Sequence, residues 1–146
     1  MTLIFAESPE DNYVADLFLY NLRDFSLFDN NSSIIVHRNS DGYSIGYWTG
    51  ISRINPEQTS IDLQSIKDVG FILSLNIAQR RKGHGRSLIN VVEKTFRNLH
   101  CSKIRATPSG QGRLFFPKVG FNPLSDSIEY ERIIETPRTF SAPYGL

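Results

Sequence analysis

The apolar run Gly70-Phe71-Ile72-Leu73-Ser74-Leu75-Asn76-Ile77 leads, after Ala78-Gln79, into Arg80-Arg81-Lys82-Gly83-His84-Gly85-Arg86-Ser87-Leu88-Ile89. This order predicts a strand, a basic turn with two glycines, and a helix. Such a turn is an anion site. The first N–H groups of a helix have no intrahelical partners, and the helix dipole favours negative charge at that end. Gly83 and Gly85 can adopt positive φ and let a ligand approach the backbone closely. Arg80, Arg81, Lys82 and Arg86 add cationic side chains around the same point. A diphosphate suits this turn.

Two phosphate motifs are excluded by spacing. A dinucleotide fingerprint, G-x-G-x-x-G, fails because Leu88 stands where the third glycine belongs, and the string G-x-x-x-x-G-K followed by Ser or Thr occurs nowhere. The pattern Gln/Arg-x-x-Gly-x-Gly/Ala does fit, as Arg80-x-x-Gly83-x-Gly85. Downstream, Leu114-Phe115-Phe116-Pro117-Lys118-Val119-Gly120-Phe121 is close to F-Y-x-K-x-G-F. On these two motifs and the strand before the first, the chain resembles the GCN5-related N-acetyltransferase (GNAT) family over residues 69–121. Residues 2–68 and 122–134 agree by element order.

The resemblance implies an α/β (α+β) fold with a mixed, mostly antiparallel central sheet flanked by helices. It also implies two splayed strands that hold acetyl-CoA as co-substrate. Carried over to this chain, the backbone of Leu73, Ser74 and Leu75 pairs with the pantetheine amides much as an added strand would. Arg80, Arg81, Lys82, Gly83, His84, Gly85 and Arg86 form the diphosphate turn. His84, between the glycines, is expected to contribute its backbone N–H. The implied activity is transfer of acetyl to a primary amine by direct attack, on a small-molecule or peptide acceptor.

Catalytic groups are less well matched. Where many family members place a tyrosine as general acid to the departing thiolate, this chain has Phe116, which is expected to pack beside the cofactor sulfur and shield it. A positioned acid contributes roughly 10²–10⁴-fold, but a thiol of pKa about 8.5 leaves tolerably without one. Ser109 replaces the usual upstream asparagine and is expected to cap the following helix or bond pantetheine. Asp68 is the carboxylate nearest the start of the strand before the turn, and so a weak candidate base. On the next strand, where some members carry a glutamate, stands Ile104. The competing expectation is a GNAT-fold module that binds or senses acyl-CoA, or pairs with a partner protein, without turnover.

The other chemistry-bearing residues read blandly. His37 and His100 lack metal-ligand spacing, so no metal is expected. The single cysteine, Cys101, excludes an internal disulfide and reads as a small buried residue. Tyr43, Tyr47 and Trp48 line an acceptor pocket or fill the core. A net charge of +1 argues against nucleic acid as a partner. No apolar run is long enough to span a bilayer, and the start Met1-Thr2-Leu3-Ile4-Phe5 lacks a signal-peptide pattern, so a cytoplasmic location is expected.

At 146 residues, residues 1–146 suit one domain. Leu3–Glu7 is a short strand, and Ser8-Pro9 opens one or two helices that fill Pro9–Phe28. Ser33–Arg38 and Tyr43–Ile54 are strands around the hairpin signal Asn39-Ser40-Asp41-Gly42. Asn55–Lys67 is polar apart from a short strand at Ser60–Leu63, and Val69–Ile77 precedes the turn. Gly83–Leu99 and Gly112–Val119 are helices; Lys103–Ala106 and Ile128–Ile134 are strands. Residues 135–146 are an irregular tail that could cross to a second subunit in a homodimer.

Overall fold

The computed structural model describes residues 1–50, 58–77, 83–108, 110, 112–125 and 127–134. In chain order the elements are β1 (Leu3–Phe5), α1 (Pro9–Leu22), β2 (Ser32–Asn39), β3 (Gly42–Thr49), β4 (Ser60–Ile66), β5 (Val69–Asn76), α2 (His84–Asn98), β6 (Lys103–Ala106), α3 (Gly112–Lys118), β7 (Asn122–Pro123) and β8 (Tyr130–Ile133). The strands form one sheet in the order β1-β2-β3-β4-β5-β6-β8-β7. β1 is parallel to β2, and β5 to β6; the other pairs are antiparallel.

Cross-strand partners point to one face, so register identifies the core. Ile34 pairs with Tyr47, and Val36 with Ile45. Tyr47 and Ile45 pair in turn with Ile61 and Leu63, and Leu63 with Ile72. All are buried. α1 and α2 lie together on this face. α1 opens with Ser8, whose Oγ accepts the Asp11 N–H at 3.0 Å, and with Pro9 in the first turn, where a missing N–H costs nothing. It buries Val14, Ala15, Phe18 and Leu22, while α2 buries Leu88, Val92 and Phe96 at helical spacing. Between the helices, the Asn21 side-chain amide donates to Thr95 Oγ1 at 3.1 Å in a buried pair.

A Cβ on Gly70 would lie 2.5 Å from the Phe96 ring, so α2 reaches β5 only because that position has no side chain. Gly70→Ala is expected to cost about 1–3 kcal/mol by overpacking. Thermal melting should then fall by roughly 3–10 °C; an unchanged midpoint would contradict this packing.

Three expectations are corrected here. The helix over Pro9–Phe28 stops at Leu22, because residues 24–28 fold into successive turns in which Phe25 N–H reaches Leu22 O at 2.9 Å. β3 ends at Thr49, not Ile54: Gly50 turns the chain at φ +80, and residues 51–54 lie outside the described ones. The strand expected at Ser60–Leu63 runs on to Ile66, because Ile61, Leu63 and Ser65 alternate into the buried face. β7, of two residues, carries too little pattern to be read in advance. The tail expected after Ile134 lies outside the described residues.

Candidate functional site

The parallel ladder between β5 and β6 covers Val69↔Lys103 to Ile72↔Ala106 and stops there. β5 continues to Asn76, held on its other side by β4. The two strands therefore part after Ile72. At the same point β5 has a bulge: Leu63 faces Ile72 and Asp62 faces Ser74, leaving Leu73 as the extra residue. Leu73 is 60% exposed and Ser74 is exposed. Leu73, Ser74 and Leu75, the expected edge, thus lie along the stretch where β5 has lost its β6 partner.

Beyond β5 the described chain resumes at Gly83, the N-cap of α2, with φ +81 and no side-chain cap. The first helical bond is Ser87 N–H to Gly83 O at 3.1 Å, which leaves the preceding N–H groups of the first turn without an intrahelical acceptor. Among the described residues, a Cβ on Gly83 would meet nothing within 4 Å. Gly85 differs: its Cβ would lie 2.6 Å from the Phe115 ring, so α3 packs directly on the first turn of α2. Arg86 strengthens this junction by donating from Nη2 to Lys118 O at 2.8 Å. Arg80, Arg81, Lys82 and Ser109 lie outside the described residues.

His84 does more than present a backbone group. Its Nδ1 lies 2.7 Å from Ser26 Oγ, and Ser26 N–H donates to Ser87 Oγ at 2.9 Å. These contacts dock the segment after α1 onto the first turn of α2. Lys94 Nζ, 2.7 Å from Asp24 Oδ2, extends the same junction.

Phe116 is 5% exposed and sits edge-on between Phe115, at 5.2 Å, and Phe121, at 5.0 Å. Its described ring partners are thus core aromatics. Tyr47 and Trp48 are also buried, Tyr47 against Phe18 at 6.0 Å, and burial pushes the Tyr47 phenol up to about 12. Tyr43 donates to Glu10 at the other end of β3. Cys101 is buried, which raises its thiol to about 11 and leaves it a poor nucleophile.

Asp68, the weak candidate base, lies in the β4–β5 hairpin, five residues before Leu73, about 16 Å along a strand that rises about 3.3 Å per residue. Its carbonyl accepts Ser102 N–H at 2.7 Å and its carboxylate accepts Ser102 Oγ–H at 3.0 Å. Nearer the open end, the described residues place Asp62, whose Oδ2 accepts the Ser74 hydroxyl at 2.7 Å across the bulge. In sequence, Ile61-Asp62-Leu63 is ordinary strand alternation with the polar residue outward; only the pairing register marks Asp62.

No protein-family model matches the sequence, and no curated protein matches it. Among solved structures, nourseothricin acetyltransferase is similar with a TM-score of 0.50 at 10% identity, covering 88% of this chain and 96% of that one. The Tetrahymena GCN5 structure has a TM-score of 0.49 at 12% identity, covering 85% and 88%. The PaiA N-acetyltransferase of Thermoplasma acidophilum, solved with coenzyme A, has 0.48 at 20% identity, covering 64% and 61%. The likeness establishes the fold, which is the one the sequence resemblance implies.

Proposed function

We propose that this chain is an acetyl-CoA-dependent N-acetyltransferase acting on a primary amine. The observation carrying it is the parting of β5 from β6 at Ile72, on a strand that leads to the uncapped, glycine-started helix α2. An open strand edge takes amides, and a bare helix N-terminus takes phosphate. Acetyl-CoA carries both in that order, and it supplies an activated acetyl thioester. The space at Gly83, where a Cβ would meet none of the described residues within 4 Å, fits a ligand lying against that backbone.

In this proposal Leu73, Ser74 and Leu75 hold pantetheine through their main-chain groups, and residues 81–86 hold the diphosphate. Ser109 stays a candidate pantetheine contact. Asp62 takes the proton that the acceptor ammonium must lose before its nitrogen lone pair can attack, and the Ser74 hydroxyl holds Oδ2 in place for it. Phe116 excludes water through the aromatic core it completes, and contributes no proton. The acceptor is a small-molecule or peptide amine.

The absence of a hydroxyl at Phe116 favours a second reading, a module that binds acyl-CoA without turnover. One assay separates the two. With acetyl-CoA and a mixed panel of primary amines, the enzyme should release free thiol in proportion to amine, with acetyl-CoA binding seen by calorimetry. Binding without amine-dependent thiol release would establish the module; no binding at all would refute both.

A further inference from the structure

We infer that Ser26 and Ser87 are positioning residues for the cofactor turn. They clamp the segment after α1 onto the first turn of α2, so that acetyl-CoA binding and the ordering of residues 24–28 are coupled. Resting on the reading of that turn as the diphosphate site, this coupling involves residues outside it.

The start of α2 is poorly held by its own sequence. Gly83 and Gly85 leave the backbone there with more freedom to lose on ordering. The N-cap offers no side-chain bond, and the first intrahelical bond is the one Ser87 N–H makes to Gly83 O. A ligand that bonds to main-chain N–H groups must find them fixed, or part of its binding energy goes into fixing them. Tertiary contacts from two sides hold this turn.

On one side is α3, with the Phe115 ring against Gly85 and Lys118 O accepting from Arg86. On the other is the segment after α1. His84 and Ser87, three apart and so neighbours on the helix surface, meet it together. Ser26 Oγ lies 2.7 Å from His84 Nδ1, and Ser26 N–H donates to Ser87 Oγ at 2.9 Å. The Ser87 hydroxyl donates onward to Asp24 O at 3.3 Å, so it joins two residues of the segment. The segment is wound into turns by Phe25 N–H to Leu22 O and Phe28 N–H to Phe25 O, and buried Phe25 anchors it. The His84, Arg86 and Ser87 side chains thus all engage protein, which leaves the main chain of the turn to face a ligand. Because Ser26 bonds to side chains of the turn, it does not compete with a diphosphate for the N–H groups. A diphosphate that fixes the turn holds Ser87 Oγ in place for Ser26, and the coupling is reciprocal.

Calorimetry well below the melting temperature, together with amide hydrogen exchange, tests the coupling with acetyl-CoA as the probe. In the parent, acetyl-CoA should slow exchange of the Ser26 amide at least about fivefold. Ser87→Ala should weaken acetyl-CoA affinity about fivefold and Ser26→Ala about threefold, as the net worth of a hydrogen bond predicts. Ser87→Thr keeps the hydroxyl and should retain the parent affinity. Lys94→Ala removes the ion pair to Asp24 but leaves the clamp, and should bind within about twofold of the parent. A purely structural role for Ser87 would lower the melting temperature of Ser87→Ala and leave its affinity alone. Parent-like affinity in folded Ser87→Ala, or a Ser26 amide that acetyl-CoA leaves unprotected, would overturn the coupling while the diphosphate site stood. Failure of the parent to bind acetyl-CoA would overturn both.

Discussion

Gly83→Asp should weaken acetyl-CoA binding at least about 100-fold while leaving the fold nearly as stable as before. The two glycines of the turn look equivalent in sequence, but the structure separates them. An aspartate Cβ at Gly83 meets none of the described residues within 4 Å, and its main structural cost is the positive φ of +81, about 1 kcal/mol for a residue that tolerates this region better than most. A negative charge next to a helix N-terminus offsets part of that. Against a diphosphate the same charge costs several kcal/mol, and each 1.4 kcal/mol is a factor of ten. Gly83→Ala, with the strain but not the charge, should keep most of the affinity. Gly85→Asp is a poorer experiment, because its Cβ drives into Phe115 and disturbs α3 whether or not phosphate binds there. Calorimetry giving equal affinity for Gly83→Asp and the parent would remove the diphosphate from this turn.

Asp62→Asn should lower kcat by about 10²–10⁴-fold, the usual contribution of a positioned base, with the KM for acetyl-CoA and the melting temperature little changed. Asparagine keeps the shape and can still meet the Ser74 hydroxyl, so the ladder across the bulge is preserved. Ser74→Ala should fall between the two, since it removes the hydroxyl donor to Oδ2 and keeps the carboxylate. A variant that keeps more than a tenth of the parent kcat would show that the amine loses its proton elsewhere.

What the sequence could reveal divides along physical lines. The segment from Val69 to Asn98 was legible because local chemistry decides it: an apolar run, glycines where the backbone must turn, then Leu88, Val92 and Phe96 at helical spacing. The last three residues of β4 were not, because Gln64-Ser65-Ile66 shows strand character only once Ser65 is seen to face the core. Asp62, proposed above as the base, was missed for a related reason. A bulge depends on how two strands pair, and nothing in Ile72-Leu73-Ser74 announces that Leu73 will be the residue left over. Asp68 shows the opposite case: it is next to β5 in sequence and lies at the end of β5 that stays paired with β6. Phe116 was placed by motif alignment, which identifies the residue but not what its ring packs against.

Asp68 and Ser102 acquire a different meaning from the geometry of the opening. Where β5 and β6 meet, Ser102 is bound three ways: its N–H and hydroxyl go to Asp68, and its carbonyl accepts Ile134 N–H at 2.9 Å. That pins the closed end, and beyond it Leu73–Asn76, still held by β4 but no longer by β6, runs on for about 13 Å. The direction in which β5 leaves β6 is thus set by a hydrogen-bonded joint that lies outside the opening itself.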